Sequence, residues 1–256
     1  MRDEKGNRTM KITVVGATGQ IGSRVASLLV ADGHEVVAAS LSAGANVLTG
    51  DGLVDALTGS NVVVDVVNSP SFEDGPVMDF FTAAARNLVD AANQTGVGHY
   101  VTLSIVGADG LPDSGYMRAK VAQENIIIES GLPYTIVRAT QFQEFAESIT
   151  DTLVVGDEVR VPDARIQLIA ADDVSAEVAQ AAEAEPRNGI INIGGPEKIS
   201  FAEMAQAVLD ARGDDKPVVV DPSATYFGTP VDDCSLVTGD DGVLARTRFA
   251  DWIARR

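Results

Sequence analysis

Apolar positions along this chain fall into two rhythms. Short runs rich in β-branched residues recur at Ile12 to Val15, Glu35 to Ala39, Asn61 to Val67, His99 to Leu103 and Tyr134 to Val137. Such runs suit strands buried in a parallel sheet. Between them the apolar residues return at helical spacing. Ser23 to Val30 carries Val25, Leu28 and Leu29 and stops at Asp32-Gly33, while Val77 to Asn93 carries Phe80, Phe81, Ala84, Leu88 and Ala91 and stops at Gly96. Tyr116 to Glu129 is a further helix, closed by Gly131 and Pro133. Asn46 to Thr49 is expected as a very short extra strand and Gly52 to Leu57 as a short helix. This alternation predicts an α/β doubly wound parallel sheet with helices on both faces.

Beyond Arg138 the rhythm loosens. Short strands are expected at Val159 to Val161 and Arg165 to Ile169, with a helix after Asp172. Ile190 to Ile193 reads as a strand that rejoins the main sheet. A helix at Phe201 to Ala211, a strand at Val218 to Val220 and a last helix near Thr247 to Ala254 follow. The expected organisation is a nucleotide-binding core over residues 10–150, with a returning strand near 188–195. Residues 151–256 would mainly form a small lobe capping the sheet's carboxyl edge. Met1 to Thr9 is polar and charged, and reads as a flexible leader or an early start ahead of Met10.

Charge narrows the partners. Among 256 residues, 19 basic against 37 acidic side chains leave a net charge of −18. Such a surface repels phosphate backbones and anionic membranes, which argues against nucleic acid and membrane partners. The single cysteine, Cys234, has no internal partner and suits a reducing cytoplasm. His34 and His99 stand far apart with no cysteine near them, so no metal site is expected. No apolar run reaches the roughly 18 residues of a membrane helix, and no signal peptide is visible. A small-molecule substrate is expected, and a homo-oligomer is compatible with the sequence.

The chemistry starts where the first strand ends. Gly16, Gly19 and Gly22 follow Ile12 to Val15 at once and lead into a helix. Gly16 permits a sharp turn, Gly19 lets the backbone approach a pyrophosphate, and Gly22 lets the helix pack closely on the sheet. The N–H groups of Thr18, Gly19, Gln20 and Ile21 would point at the anion, with the helix dipole behind them. The plainer alternative is a tight turn that binds nothing. After the second strand, Ser40 and Ser42 stand where an NAD enzyme usually offers a carboxylate to the ribose. Their hydroxyls and the missing carboxylate favour NADP(H) over NAD(H). Asn68 and Ser69, before Pro70, suit a ribose-flanking turn or an ordinary strand end.

Tyr116 and Lys120 lie four apart on one expected helix, so their polar ends share a face. An ammonium near a phenol lowers its pKa and makes it a usable general acid. The same lysine can hydrogen-bond a nicotinamide ribose. A surface Tyr–Lys pair is the plainer alternative. Phe142, Phe145, Tyr226 and Phe227 suit either an apolar pocket or core packing, and Trp252 a docking anchor for the last helix.

Together these features resemble the short-chain dehydrogenase/reductase superfamily, most closely its atypical NmrA-like branch. The carriers are Gly16 to Gly22, Thr49-Gly50-Asp51, Tyr100 to Ser104, Tyr116 to Lys120 and Pro133 to Arg138. Ala171 to Val174 is similar to the branch's helix start after the substrate-lobe strand. The resemblance implies a Rossmann-type sheet, NAD(P)(H) at the glycine loop and Asp51 near the adenine. It implies Thr140 at the nicotinamide and Gln141 and Phe142 at the substrate. Members usually carry a serine pair after the fifth expected strand; here it reads Ser104-Ile105, leaving Ser104 as the catalytic candidate and Ser114 as the fallback. Many NADP-preferring members also carry an arginine after strand two, which is missing here. The expected activity is hydride transfer between nicotinamide and a small carbonyl, imine or quinone-like substrate, with Tyr116 as general acid/base. The alternative is a non-catalytic NADP(H)-binding redox sensor, although such regulators generally lack the tyrosine. An isomerase-type member is a third reading, disfavoured by the scarcity of basic residues after Arg138.

Overall fold

Ile12, Val14 and Val15 are apolar and Thr13 hydrogen-bonds through its hydroxyl to Ala56 O and Ser60, and the computed structural model buries all four inside a sheet. The structure describes residues 9–255, so the expected leader lies outside the described residues apart from Thr9. In chain order the first elements are β1 (Lys11–Val15), α1 (Gln20–Ala31), β2 (Glu35–Ala39), α2 (Leu53–Leu57), β3 (Val62–Asp65), α3 (Asp74–Thr95), β4 (His99–Ile105), α4 (Gly115–Glu129) and β5 (Tyr134–Ala139). Then come α5 (Ala146–Thr152), β6 (Val154–Val155), β7 (Glu158–Val161), β8 (Arg165–Ile166), α6 (Ala171–Glu183), β9 (Gly189–Gly194), β10 (Ile199–Ser200), α7 (Phe201–Arg212), β11 (Val218–Val220), β12 (Val243–Leu244) and α8 (Phe249–Ile253).

The main sheet has seven strands in the order β2-β1-β3-β4-β5-β9-β12, every neighbouring pair parallel. The chain runs outward from β1 to β2 and then crosses back to β3, which opens a crevice at the carboxyl ends of β1 and β3. On one face Val25 and Leu29 of α1 pack with Val174 and Val178 of α6. On the other, Leu53 and Leu57 of α2, Leu88 of α3 and Ile127 of α4 form a second core. Each such fully buried side chain contributes about 1.5–3 kcal/mol before chain entropy is set against it. A third core, with Ile149, Val159, Phe201 and Leu236, lies under α5, α7 and the small β11-β7-β6 sheet.

The doubly wound sheet and the returning strand agree with the sequence pattern. Three details differ. Asn46 to Thr49 is a turn, because Gly50 N and the Asn46 N–H bond Asn46 O and Asp51 O, while Leu48 N bonds the Asn46 side chain. Those bonds satisfy the backbone locally and leave nothing for a sheet edge. The stretch Arg165 to Ile169 is a strand only over Arg165–Ile166, where it pairs with β10; Ile169 makes a lone bridge to Phe142. The seventh strand, β12, had no apolar pattern to announce it, since it is two exposed residues long.

Candidate functional site

The glycine loop forms the first wall. Gly16 leaves β1 at φ +86°, a left-handed conformation costly for a side chain. Gly22 sits inside α1, where a Cβ would lie 2.2 Å from the Gly16 carbonyl oxygen. Helix and loop can touch only because that atom is missing. Gly19 caps α1 with no side-chain hydrogen bond, so the first-turn amides keep their donors for an anion.

A cavity of about 450 Å³ opens from this loop across the carboxyl ends of the central strands. Of the residues expected at the site, Gly16, Thr18, Gly19, Gln20 and Ile21 line it from the loop, and Asn68 from the turn after β3. Ser104 lines it from β4, Tyr116 and Lys120 from α4, and Thr140, Gln141 and Phe142 from the segment after β5. The other expected residues lie outside its lining. Gly22 serves helix packing. Ser40 and Ser42 follow β2 and share a 2.9 Å hydrogen bond. Asp51 accepts from the Thr49 hydroxyl at 2.7 Å in the turn that replaces the expected strand. Ser69 is buried and its hydroxyl accepts from Ser71 N, which ties the loop after β3. The fallback Ser114 caps α4 by accepting from Met117 N.

Tyr116 is half-buried, its ring wedged between Phe72 and Phe81 at centroid distances of 5.4 and 5.7 Å. Its hydroxyl donates to Asn68 Oδ1 at 2.6 Å. Burial pushes the phenol up to about 12, and the Asn68 hydrogen bond only partly opposes this. The lowered pKa expected from Lys120 is therefore not what the geometry gives. The reason is where the ammonium points. Lys120 Nζ donates to Leu103 O at 2.9 Å and to Gln123 Oε1, and sits 4.5 Å from the Phe81 ring centroid. Burial pulls Lys120 down to about 8, against the opposing pull of Asp65 and Glu124.

Beneath the cavity floor lies a polar cluster that sequence reasoning missed. Asp65, at the end of β3, accepts from Tyr100 Oη and Gln123 Nε2, each at 2.9 Å. Burial raises the Asp65 pKa, and Lys120 opposes that rise. Gln123 thus bridges carboxylate and ammonium. A lone carboxylate in the run Val62-Val63-Val64-Asp65-Val66-Val67 was the available signal, since such a residue in a buried strand needs partners. Arg138 fixes α4 against β5: its Nε and Nη2 reach the two Glu124 carboxylate oxygens at 2.9 and 2.6 Å, and Nη1 reaches Asp109. His99, by contrast, is structural. It is buried against Thr135, and burial pushes it down to about 4.

Several buried polar atoms on the cavity wall have no protein partner: Ser104 Oγ, Thr140 Oγ1 and Gln141 Nε2. The other end of the Gln141 amide is held, because Tyr226 Oη donates to Gln141 Oε1 at 2.9 Å. Orphaned polar atoms are costly unless a ligand or water meets them. Together with the uncapped glycine loop, they fit a dinucleotide whose diphosphate lies at α1 and whose reactive ring reaches Ser104 and Thr140.

Fold and cavity define a Rossmann-type dinucleotide-binding protein. A family profile described as NAD(P)H-binding matches residues 16–185, and the chain belongs to that family. Photosystem II assembly factor Ycf39 of Cyanophora paradoxa is 30% identical over 147 residues, 52% of this chain and 46% of that protein. Sanguinarine reductase of Eschscholzia californica is 32% identical over 129 residues, 46% of each. The chain thus spans about half the length of the curated relatives it matches. Among solved structures, Bordetella bronchiseptica WbmH in complex with NAD+ superposes with a TM-score of 0.73, at 19% identity and over 96% of both chains. That likeness shows the fold. The resemblance to atypical short-chain dehydrogenases/reductases holds. No helix among the described residues is long and apolar enough to cross a membrane.

Proposed function

We propose that the chain is an oxidoreductase that uses NAD(P)(H), with NADP(H) favoured, to reduce or oxidise a small carbonyl, imine or quinone-like substrate in the cytoplasm. The observation that carries this reading is one wall of the cavity, where the Tyr116 hydroxyl and the unpartnered Ser104 Oγ face a common space. The name of sanguinarine reductase points the same way. The exposed serine pair after β2, with no carboxylate beside it, supports the 2′-phosphate preference.

When bound, the nicotinamide supplies or accepts the hydride at its C4. The chain's residues do the rest. Tyr116, kept neutral by burial, holds the proton that the substrate oxygen needs as it gains charge, and Asn68 orients the hydroxyl that delivers it. Ser104 donates to the same oxygen. Lys120, one helical turn along α4, is held by Leu103 O and Gln123 at the same wall, where it can reach the ribose of a bound dinucleotide. The first-turn amides of α1 hold the diphosphate.

Tyr116→Phe tests this. With NADPH and a panel of aldehydes, ketones and quinones, turnover should fall about 10²–10⁴-fold, while NADPH affinity by fluorescence titration stays at the wild-type value. Unchanged turnover would overturn the mechanism.

A second reading, a dinucleotide-binding sensor without turnover, is favoured by one observation. Lys120 is engaged by Leu103 and Gln123 and the phenol pKa is raised, not lowered. The description of Ycf39 as an assembly factor agrees with it. This reading expects NADPH binding with no oxidation by any member of the panel.

A further inference from the structure

Exposed aromatic rings gather at one place on this molecule. Of eight phenylalanines, Phe72, Phe145 and Phe227 are the exposed ones, at 70%, 46% and 59%. Phe145 lines the cavity, and the other two pack behind residues that serve it. Phe145 stacks on Phe142 with centroids 5.6 Å apart and planes within 9°. Phe72 lies against Tyr116. Phe227 lies 4.8 Å from the ring of Tyr226, the residue that holds Gln141. Phe227 also adopts φ 46°, a left-handed conformation unfavourable for a bulky residue. The turn that imposes it is closed by paired hydrogen bonds between Tyr226 and Thr229, so the ring is held out by the backbone.

The polar side of the same space is sparse. Among the described residues Lys120 is the only cation lining it, and its ammonium already serves Leu103 and Gln123. A phosphorylated acceptor would meet no free positive charge there. Among the uncharged donors of the wall, Gln141 Nε2 belongs to a residue only 9% exposed and stands next in sequence to Phe142, whose ring supplies flat apolar surface. The oxygen end of that amide is fixed by Tyr226, which leaves the nitrogen for a ligand.

We infer that the acceptor is a planar aromatic carbonyl compound, its ring on the Phe142–Phe145 stack and its oxygen, the one that Tyr116 and Ser104 serve, also taking a hydrogen bond from the Gln141 amide, with Tyr226 as the positioning residue that aims that amide. This rests on the oxidoreductase reading and narrows its substrate.

The test uses binding, so that it does not depend on turnover. The full chain with NADP+ is titrated with 9-fluorenone, with fluorene (the same rings without the carbonyl) and with cyclohexanone, followed by ligand-observed NMR. Wild type should favour fluorenone over fluorene by about tenfold, the worth of one buried hydrogen bond, and bind cyclohexanone far more weakly. Gln141→Leu and Tyr226→Phe should each remove the fluorenone preference while leaving fluorene bound as before, an outcome that general damage to the pocket would not produce. Phe145→Ala should weaken both tricyclic ligands about tenfold. If fluorenone and fluorene bind equally to wild type, if cyclohexanone binds as well as fluorenone, or if Tyr226→Phe keeps the preference, the subsite is wrong. Those results leave the oxidoreductase reading standing. The converse result, a fluorenone preference in a protein that oxidises NADPH with no acceptor, removes that reading and keeps the subsite.

Discussion

The two ends of the cavity are built by different means. At the β1 end the glycine loop lines the cavity with its backbone, left uncrowded because Gly16 and Gly22 carry no side chain. At the α4 end they are side chains on separate elements: Asn68 after β3, Ser104 on β4, Tyr116 on α4 and Gln141 after β5. A backbone site is specified within seven consecutive residues. A side-chain site exists only once buried ties have set the elements against each other.

The sharpest way to break the side-chain end is through such a tie. Glu124→Leu leaves the buried Arg138 guanidinium with Asp109 as its remaining carboxylate partner and should cost about 3–5 kcal/mol in urea unfolding. Activity should fall with it as α4 loosens, whereas a stable variant would show that helix packing alone positions Tyr116. Gly22→Val attacks the other end. Its side chain would enter the Gly16 carbonyl, so about 3 kcal/mol of stability should be lost together with NADPH binding. Retained NADPH binding would separate the loop's packing from its ligand role.

Those two ends were also unequally legible. The glycine loop could be read because its geometry is local: spacing alone fixes the turn, the close approach and the uncapped helix start. Tyr116 and Lys120 could be found as a pair, since helical spacing puts them on one face. Where the ammonium points could not be read, because Leu103 O and Gln123 compete for it and Asp65 lies 55 positions before Lys120 in the chain. Tyr226 was legible as an aromatic residue and nothing more, since its bond to Gln141 spans 85 positions. Asn46 to Thr49 misled because a short polar-apolar stretch has no periodicity to distinguish strand from turn. The polar residues then closed hydrogen bonds locally.

A control lies away from both ends. His99 titrates near 6.5 when free and near 4 in the folded chain. The unfolded chain therefore binds more protons than the folded one between those values, so stability is fully present above pH 6.5 and is lost as pH falls toward 4. The loss should be about 3 kcal/mol, seen as a falling urea midpoint, and His99→Gln should flatten that slope without changing NADPH affinity. The smallest effect is expected at the ribose. Ser42→Asp should lower NADPH affinity relative to NADH by about tenfold through carboxylate–phosphate repulsion, read by parallel fluorescence titrations. An unchanged ratio would place the 2′-phosphate elsewhere.

The sheet's order has a practical meaning for protein engineering. Its last two strands, β9 and β12, come from beyond residue 188 and close the edge next to β5, so no single cut parts the glycine-loop half of the sheet from the rest. Transplanting segments from another member of the family would require grafting the interleaved stretches around these strands, leaving their register intact, rather than joining two blocks end to end.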